Sequence, residues 1–455
     1  MYSKNEPKLS DKPMFSNRDL VNLTIPLILD ALLVIAAGLV DSAMVSSAGE
    51  AAVSGVSLVD SLNLLFVTIF NALAIGGVVV TSQYIGKGDA QKANRSANQL
   101  FYLLLFVSLA MTTILICFIP QILRLVYGGI EADVFKNAQD YFFFILLGYP
   151  FLAVGNGCTA LMRSMGKNKL SVALTSGYNI LNVIGNAILI FGCGLGVRGA
   201  AISTSLSRVI FAISGIWIMH DSHLKVHFEK LCRFSIDWDM MRRVCIIGGG
   251  NGIEQGLFQV GKVLVSSLVS SLGTIAIAAN SVASSVTNIG WSTVGAFSTA
   301  LLPVIGQCMG AGKHEQAKIY SKKMMRAATV CVIILFGAIF LLRNQLVLLF
   351  DFEEEALREA AYYTGAASLF TILSGYSWSF VPMATFRASG DTKYAVTLAV
   401  STMFIFRVGL SYLLNALFDI GLLAVWIGMW ADWFSRSIIN RIHFRRGKWM
   451  QKKVI

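Results

Sequence analysis

Residues 83–93 read QYIGKGDAQKA, and residues 307–317 read QCMGAGKHEQA. Laid over one another without a gap, Gln83, Gly86, Gly88 and Ala93 fall on Gln307, Gly310, Gly312 and Ala317, a shift of 224 residues. The same shift carries Gly49 onto Gly273. Further along it carries Ala160, Arg163, Gly166, Lys169 and Val172 onto Ala384, Arg387, Gly390, Lys393 and Val396. Apolar segments resemble one another by chance, but chance does not hold one register over so long a stretch. The chain is therefore expected to contain two copies of one unit.

Composition says what the unit is made of. Of 455 residues, 55% are hydrophobic and only 14% charged, with a mean hydropathy of +0.67, whereas soluble domains carry roughly a quarter charged residues. Runs such as Leu100 to Ile119, and Val330 to Leu342 with its flanks, approach the ~20 helical residues that cross a ~30 Å hydrocarbon layer. The runs are continuous and not alternating, which excludes a membrane β-barrel and leaves helices to satisfy the backbone. Spans are expected to start near Leu20, Ala52, Ala97, Tyr141, Val172 and Gly196, then near Val244, Ala276, Ser321, Ala360, Val396 and Ile420. The fold class is thus an all-α polytopic membrane protein of about twelve transmembrane helices in two pseudo-symmetric six-helix lobes. An even number of spans per copy inserts both the same way up, related by a pseudo-two-fold axis along the membrane normal, with a cavity between them.

The formal charge of +12 would suggest nucleic acid in a soluble protein. Here the basic residues fall in alternate connections: Lys87, Lys92 and Arg95; Arg163, Lys167 and Lys169; Lys225, Lys230, Arg233, Arg242 and Arg243. The second half repeats this with Lys313, Lys318, Lys322, Lys323 and Arg326, with Arg387 and Lys393, and with the tail from Arg441 to Lys453. Opposite connections are short or acidic, as at Glu50 and Asp351 to Glu355. The positive-inside rule then places both termini in the cytoplasm, in a cytoplasmic (inner) membrane. The expected layout is an N-terminal cytoplasmic segment 1–19, an N-lobe 20–219, a cytoplasmic linker 220–240, a C-lobe 241–441 and a basic tail 442–455. The polar stretch Met1 to Asp19 lacks an apolar core before a cleavage site, so no removable signal peptide is expected. The seven cysteines are scattered, as at Cys117, Cys245 and Cys331, and read as small buried hydrophobes.

No GxxxxGKS/T phosphate loop and no soluble segment long enough for an ATPase is present, so transport would draw on an ion gradient. DDxxD, HExxH and a Ser/His/Asp set are missing, and three of the five histidines, His220, His223 and His227, lie in the linker. An enzyme, an intramembrane metal site and a cofactor are therefore not expected.

From Thr24 to Trp449 the chain resembles the multidrug and toxic compound extrusion (MATE) family. The resemblance rests on the segment Pro26 to Asp41 ending Gly38-Leu39-Val40-Asp41, on Gln83 to Asp89 and its copy Gln307 to Gly312, on Arg163 to Lys167 and its copy Arg387 to Asp391, and on Gly421 to Gly428. It implies a V-shaped pair of six-helix bundles that opens alternately to either side. It also implies a secondary antiporter, acting as a single chain, that exports organic, often cationic, compounds in exchange for H+ or Na+. The alternative is a flippase of lipids or lipid-linked oligosaccharides from the same superfamily, which would prefer a basic cavity. A membrane enzyme and a channel are rivals from other classes.

Charges inside spans cost about 2.5 to 3.5 kcal/mol on insertion scales, so each needs a partner or a task. Asp41 lies in the first span, and the resemblance implies that it is a central coupling residue of the N-lobe. A carboxylate in a partly dry cavity can exchange protons near neutral pH; the competing role is an interfacial helix cap. On the fifth span Asn179, Asn182 and Asn186 share a face, where amides often only bridge helices. The resemblance implies an asparagine at 182 and, in some members, an aspartate at 186. Asn186 cannot titrate, which puts a two-carboxylate site in doubt. Thr204 matches a threonine lining the same pocket, although a hydroxyl bonding its own helix is the common alternative.

Asp30 and Glu254 are also 224 apart, so each lobe carries one acid about midway along its first helix. Asp30 and Asp41 share a face roughly 16 Å apart along the axis. Glu254 with Gln255 and Gln259 is expected to bind substrate or ions from the C-lobe, unless Lys262, two turns on, pairs with Glu254 structurally. Arg407 in the eleventh span has Asp432 as a candidate partner. Phe66, Trp291, Tyr376 and Trp378 could offer a π surface to flat cations, with Tyr376 taken as a C-lobe candidate, but packing is the commoner role for such rings.

Overall fold

The structure is a computed structural model that describes residues 12–455 except 48, 130, 230, 232–234, 351 and 453, and not the side chain of Glu50. The basic residues Lys230, Arg233 and Lys453 and the acidic Asp351, used above for topology, lie outside the described residues, as do residues 1–11 of the N-terminal segment.

The described chain is helical, with no strand among the described residues. The first half holds α1 (Asn17–Ser46), α2 (Glu50–Lys87), α3 (Ala90–Cys117), the short α4 (Ile119–Tyr127), α5 (Ala132–Leu147), α6 (Tyr149–Ser164), α7 (Asn168–Asn186) and α8 (Gly196–Met219). The second holds α9 (Trp238–Ser270), α10 (Thr274–Gly310), α11 (His314–Val347), α12 (Glu354–Leu373), α13 (Tyr376–Ser389), α14 (Thr392–Thr402), α15 (Ser411–Phe418) and α16 (Leu422–Arg446). Eight spans are long and apolar enough to cross a membrane, and α5 with α6, bent by 47°, makes a ninth. The remaining three, α9, α12 with α13, and α16, are less apolar because they carry polar side chains; α9 holds Glu254 and Lys262, and α16 holds Asp432 and Arg436. Together they give the twelve spans expected.

The repeat is visible in the helix starts. Glu50 and Thr274 open α2 and α10, Ala90 and His314 open α3 and α11, and Asn168 and Thr392 open α7 and α14, each pair 224 apart. The fifth span of each half also passes through π-helical turns, Ala187–Gly192 and Met403–Leu410. The paired glycines have a backbone reason. Gly88 and Gly312 sit at φ +80° and +71°, in the left-handed region that side chains avoid, where α2 and α10 end.

Of those eight spans α2 and α10 are the most enclosed, with 56% and 67% of their apolar windows buried against 17% for α1. They pack on one another along the axis of the molecule, while α1 lies on α10 and α9 lies on α2, so each lobe's first helix leans on the other lobe's second. The outer faces show the apolar side chains that lipid would solvate, such as Leu33, Ile184, Ile213, Ile334 and Leu413. Trp217 and Trp238, 79% and 74% exposed, stand at the ends of α8 and α9 on the side of the basic connections, where amphipathic rings suit the membrane interface. The linker between the halves is tied to α3: Asn94 Nδ2 donates to Glu229 Oε1 (2.6 Å) and Tyr102 Oη to the carbonyl of Leu231 (2.9 Å).

Candidate functional site

A cavity of about 810 Å³ lies inside the first half and reaches the seam with the second. α1 contributes Asp30, Gly38 and Asp41; α2 contributes Asp60, Asn63, Asn71 and Val78; α7 contributes Thr175, Asn179, Asn182 and Asn186. Thr204 and Arg208 come from α8, and Ser298, Thr299 and Arg387 enter from α10 and α13. One end is marked by Val45 and Val56, near the α1–α2 connection; the other is marked by Arg163 and Val78, toward the basic connections.

At Asp41 the sequence reading and the geometry meet. Asn186 Nδ2 donates to Asp41 Oδ1 at 2.9 Å. With the Asn182 amide turned so that its nitrogen faces the acid, it donates to both carboxylate oxygens at 3.2 and 3.0 Å, and its oxygen accepts from Thr204 Oγ1 at 3.0 Å. That orientation is the physical one, because the opposite places an amide oxygen against a carboxylate. Asn182 and Asn186 reach one acid because they are one helical turn apart. Asp41 is thus held by neutral donors, with no cation within ion-pair distance among the described residues. Such a carboxylate keeps an unbalanced charge that a mobile cation can answer.

Asp30 lines the same cavity, on the face it shares with Asp41 as expected. It accepts from Thr175 Oγ1 at 2.5 Å, while Arg163 donates through Nε to Ser171 Oγ at 3.0 Å. The equivalent pair of the second half behaves differently: Arg387 Nη2 meets Glu254 Oε1 directly at 2.6 Å, with both side chains largely buried. The repeat explains the contrast. Ser171 and Thr175 on α7 correspond to Ala395 and Ala399 on α14, which have no hydroxyl to come between acid and arginine.

The expected C-lobe site is not assembled. Glu254 is engaged by Arg387, and not by Lys262, which lies over the ring of Phe258 at 5.3 Å. Gln255 is exposed and Gln259 half-buried, and neither they nor Glu254 lines the cavity. Neighbours on a helix point about 100° apart, so Gln255 cannot share the face of Glu254. Tyr376 is enclosed by Phe380, Trp433 and Trp291, with ring centroids 4.5, 4.8 and 6.4 Å away, so it packs and does not face the cavity. Phe66 and Trp378 likewise pack on other rings. The Arg407–Asp432 pairing is found, at 3.5 Å, within a buried group in which Arg436 also meets Asp432 at 2.7 Å. Trp433 lies against this network, with Arg407 5.7 Å from its ring centroid.

Sequence reasoning missed Asp60, Tyr141 and Arg208. Asp60 Oδ1 accepts from Tyr141 Oη at 3.3 Å. Arg208 Nη1 donates to the carbonyl of Ile145 (3.1 Å) and lies 5.8 Å from the ring of Tyr149. The signal was present, since Asp60 is a lone acid inside the apolar run Val53 to Ile69 and an intramembrane acid is by default a functional candidate. The lining therefore balances three acids, Asp30, Asp41 and Asp60, with three arginines, Arg163, Arg208 and Arg387, and is not predominantly acidic as the first helices suggested.

Beyond the inner end of the cavity the halves are closed on each other. Gln83 Nε2 donates to the carbonyl of Ala388 at 2.7 Å, and Gln307 Nε2 to the carbonyl of Ser164 at 2.8 Å. Gly86 and Gly310 let the two chains approach there, since a Cβ on either would strike the backbone carbonyl of Gln307 or Gln83. The repeat that opens the sequence is the contact that seals the molecule on its basic side.

A MatE family model matches residues 26–188 and 252–413, one copy in each half. An uncharacterised transporter YisQ of Bacillus subtilis is 26% identical over 453 residues, covering 97% of either chain. A probable multidrug resistance protein NorM of Thermotoga maritima is 22% identical, covering 96% of this chain and 94% of its own. A solved multidrug resistance MATE family transporter in an outward-facing conformation superposes with a TM-score of 0.88 at 20% identity, covering 94% of this chain and 96% of that one. At that identity the likeness concerns the fold.

Proposed function

The chain belongs to the MatE family, and on that premise we propose that it is a secondary antiporter that exports organic, often cationic, compounds across the cytoplasmic membrane in exchange for H+ or Na+. The observation that carries this reading is Asp41, a carboxylate open to an 810 Å³ cavity and held only by the amides of Asn182 and Asn186. With the basic connections in the cytoplasm, as the charge distribution favours, the cavity faces outward and the glutamine seam closes the cytoplasmic side. Both termini are then cytoplasmic, and the chain acts as a monomer without a cofactor beyond the coupling ion. It is a transporter and not an enzyme.

In the proposed cycle the outward-open form takes up the ion at Asp41. Neutralising that charge removes the attraction for a cationic substrate, which leaves to the outside. The ion is released inside after the lobes swing, and a new substrate favours the return. One elementary charge moved across 100 mV is worth about 2.3 kcal/mol, enough for roughly fiftyfold accumulation.

A flippase of anionic, lipid-linked substrates is the second reading, favoured by Arg163, Arg208 and Arg387 in the lining. Export of ethidium or norfloxacin from a pump-deficient cell, with and without a collapsed proton or sodium gradient, separates the two. Gradient-dependent export is the expected result; export that ignores both gradients, or none at all, rejects the antiporter.

A further inference from the structure

The cavity holds a second acid that the Asp41 network does not use. Asp60 lines from α2 the same cavity that Asp41 lines from α1. Tyr141 on α5 gives it one long hydrogen bond of 3.3 Å. Arg208 on α8 donates through Nη1 to the carbonyl of Ile145 and lies over the ring of Tyr149 on α6. Arg208 therefore biases the region electrostatically without forming an ion pair with Asp60. By accessible surface Asp60 is exposed at the cavity and Asp41 half-buried.

Two carboxylates facing one cavity repel, and among the described residues neither has a cation of the protein within ion-pair distance. A charge at membrane depth needs a partner, and in the outward-open state a cation loaded onto each carboxylate supplies it. Asn186 cannot serve as the second acceptor, because an amide exchanges neither a proton nor the charge balance of a bound ion. We propose that Asp60 is the second ion-binding carboxylate of this transporter, and that Asp41 and Asp60 together load two monovalent cations per exported molecule. Asp60 takes one ion from α2 and Asp41 the other from α1. Asp30 is outside the pair, since it lies toward Arg163, whose positive charge offsets part of its own, at the far end of the cavity.

The inference rests on the antiporter reading and is tested so that the two can fail separately. The full chain is reconstituted in vesicles, ethidium is the substrate, and a proton or a sodium gradient of fixed size is imposed with the membrane potential clamped to zero. For a tenfold ion gradient, two ions per ethidium allow accumulation up to about a hundredfold at balance, and one ion only about tenfold. Wild-type protein is expected near the higher limit, Asp60→Asn near the lower one, and Asp60→Glu near the higher one again. A wild-type limit of tenfold overturns the inference, as does a hundredfold limit that persists in Asp60→Asn. If Asp60→Asn does not fold, the wild-type and Asp60→Glu limits still decide. If neither gradient drives accumulation in the wild type, the antiporter reading fails and this inference with it. A merely structural Asp60 would change the amount of active protein and the rate, but not the limiting ratio.

Discussion

Gln83 and Gln307 are one contact made twice: each donates its side-chain amide across the seam, to Ala388 at 2.7 Å and to Ser164 at 2.8 Å. Donors and acceptors are both 224 residues apart, so the two bonds are images of one another. A net hydrogen bond is worth about 1 kcal/mol, about fivefold in an equilibrium. Gln83→Ala and Gln307→Ala are each expected to raise the population open on the basic side about fivefold, and the double variant by about the product. Distances between spin labels on the α2–α3 and α10–α11 connections read this out; unchanged distributions in the double variant would show that the pair does not hold the seam.

Gly310→Ala tests the same seam sterically. Its Cβ would meet the backbone carbonyl of Gln83, which cannot rotate aside, so overpacking should cost about 1 to 3 kcal/mol of the closed form. Gly312→Ala, which strains a turn but meets nothing, is the control. Thiol labelling of a cysteine placed at Ser164 should speed up in the first variant and stay slow in the second.

Arg387→Ala leaves Glu254 buried and unpaired. Breaking a buried pair by one partner costs roughly 3 to 5 kcal/mol, so a large drop in thermal unfolding temperature in detergent is expected. The double variant Glu254→Gln with Arg387→Gln should recover most of it. A single variant as stable as wild type would mean that water already solvates Glu254.

For Asp41→Asn the expectation is a folded protein whose ethidium export falls at least about tenfold and loses its dependence on the ion gradient. Thr204→Val, which removes the hydroxyl that orients Asn182, should lower export by about fivefold, the value of one hydrogen bond. Wild-type export and gradient dependence in Asp41→Asn would remove Asp41 from the mechanism.

Much of the site was legible because charges in apolar spans are few and expensive. Asp41, Asn182, Asn186 and Thr204 could be placed together from helical spacing and from the family resemblance, and the geometry brings them within hydrogen-bonding distance. Glu254 failed as a cavity residue for a reason that spacing along α9 could not reveal: its partner Arg387 lies 133 residues away, on a different helix. Asp60 is a lone acid of the second span, and that it faces the cavity depends on how α2 packs against the other helices, which order along the chain does not encode.

By itself the sequence determined that the chain is helical, membrane-embedded and duplicated, because hydropathy and a constant register are properties of order along the chain and survive without coordinates. It could not decide that the two copies would be used differently. Only the tertiary structure decided that three carboxylates of the first half line one cavity while, in the second, Glu254 meets Arg387 and Asp432 meets Arg407 and Arg436 in buried ion pairs. The reason is physical. Whether a buried acid faces a cavity or a guanidinium depends on side chains brought in by other helices, and on whether a hydroxyl such as Thr175 or a methyl such as Ala399 occupies the gap between them.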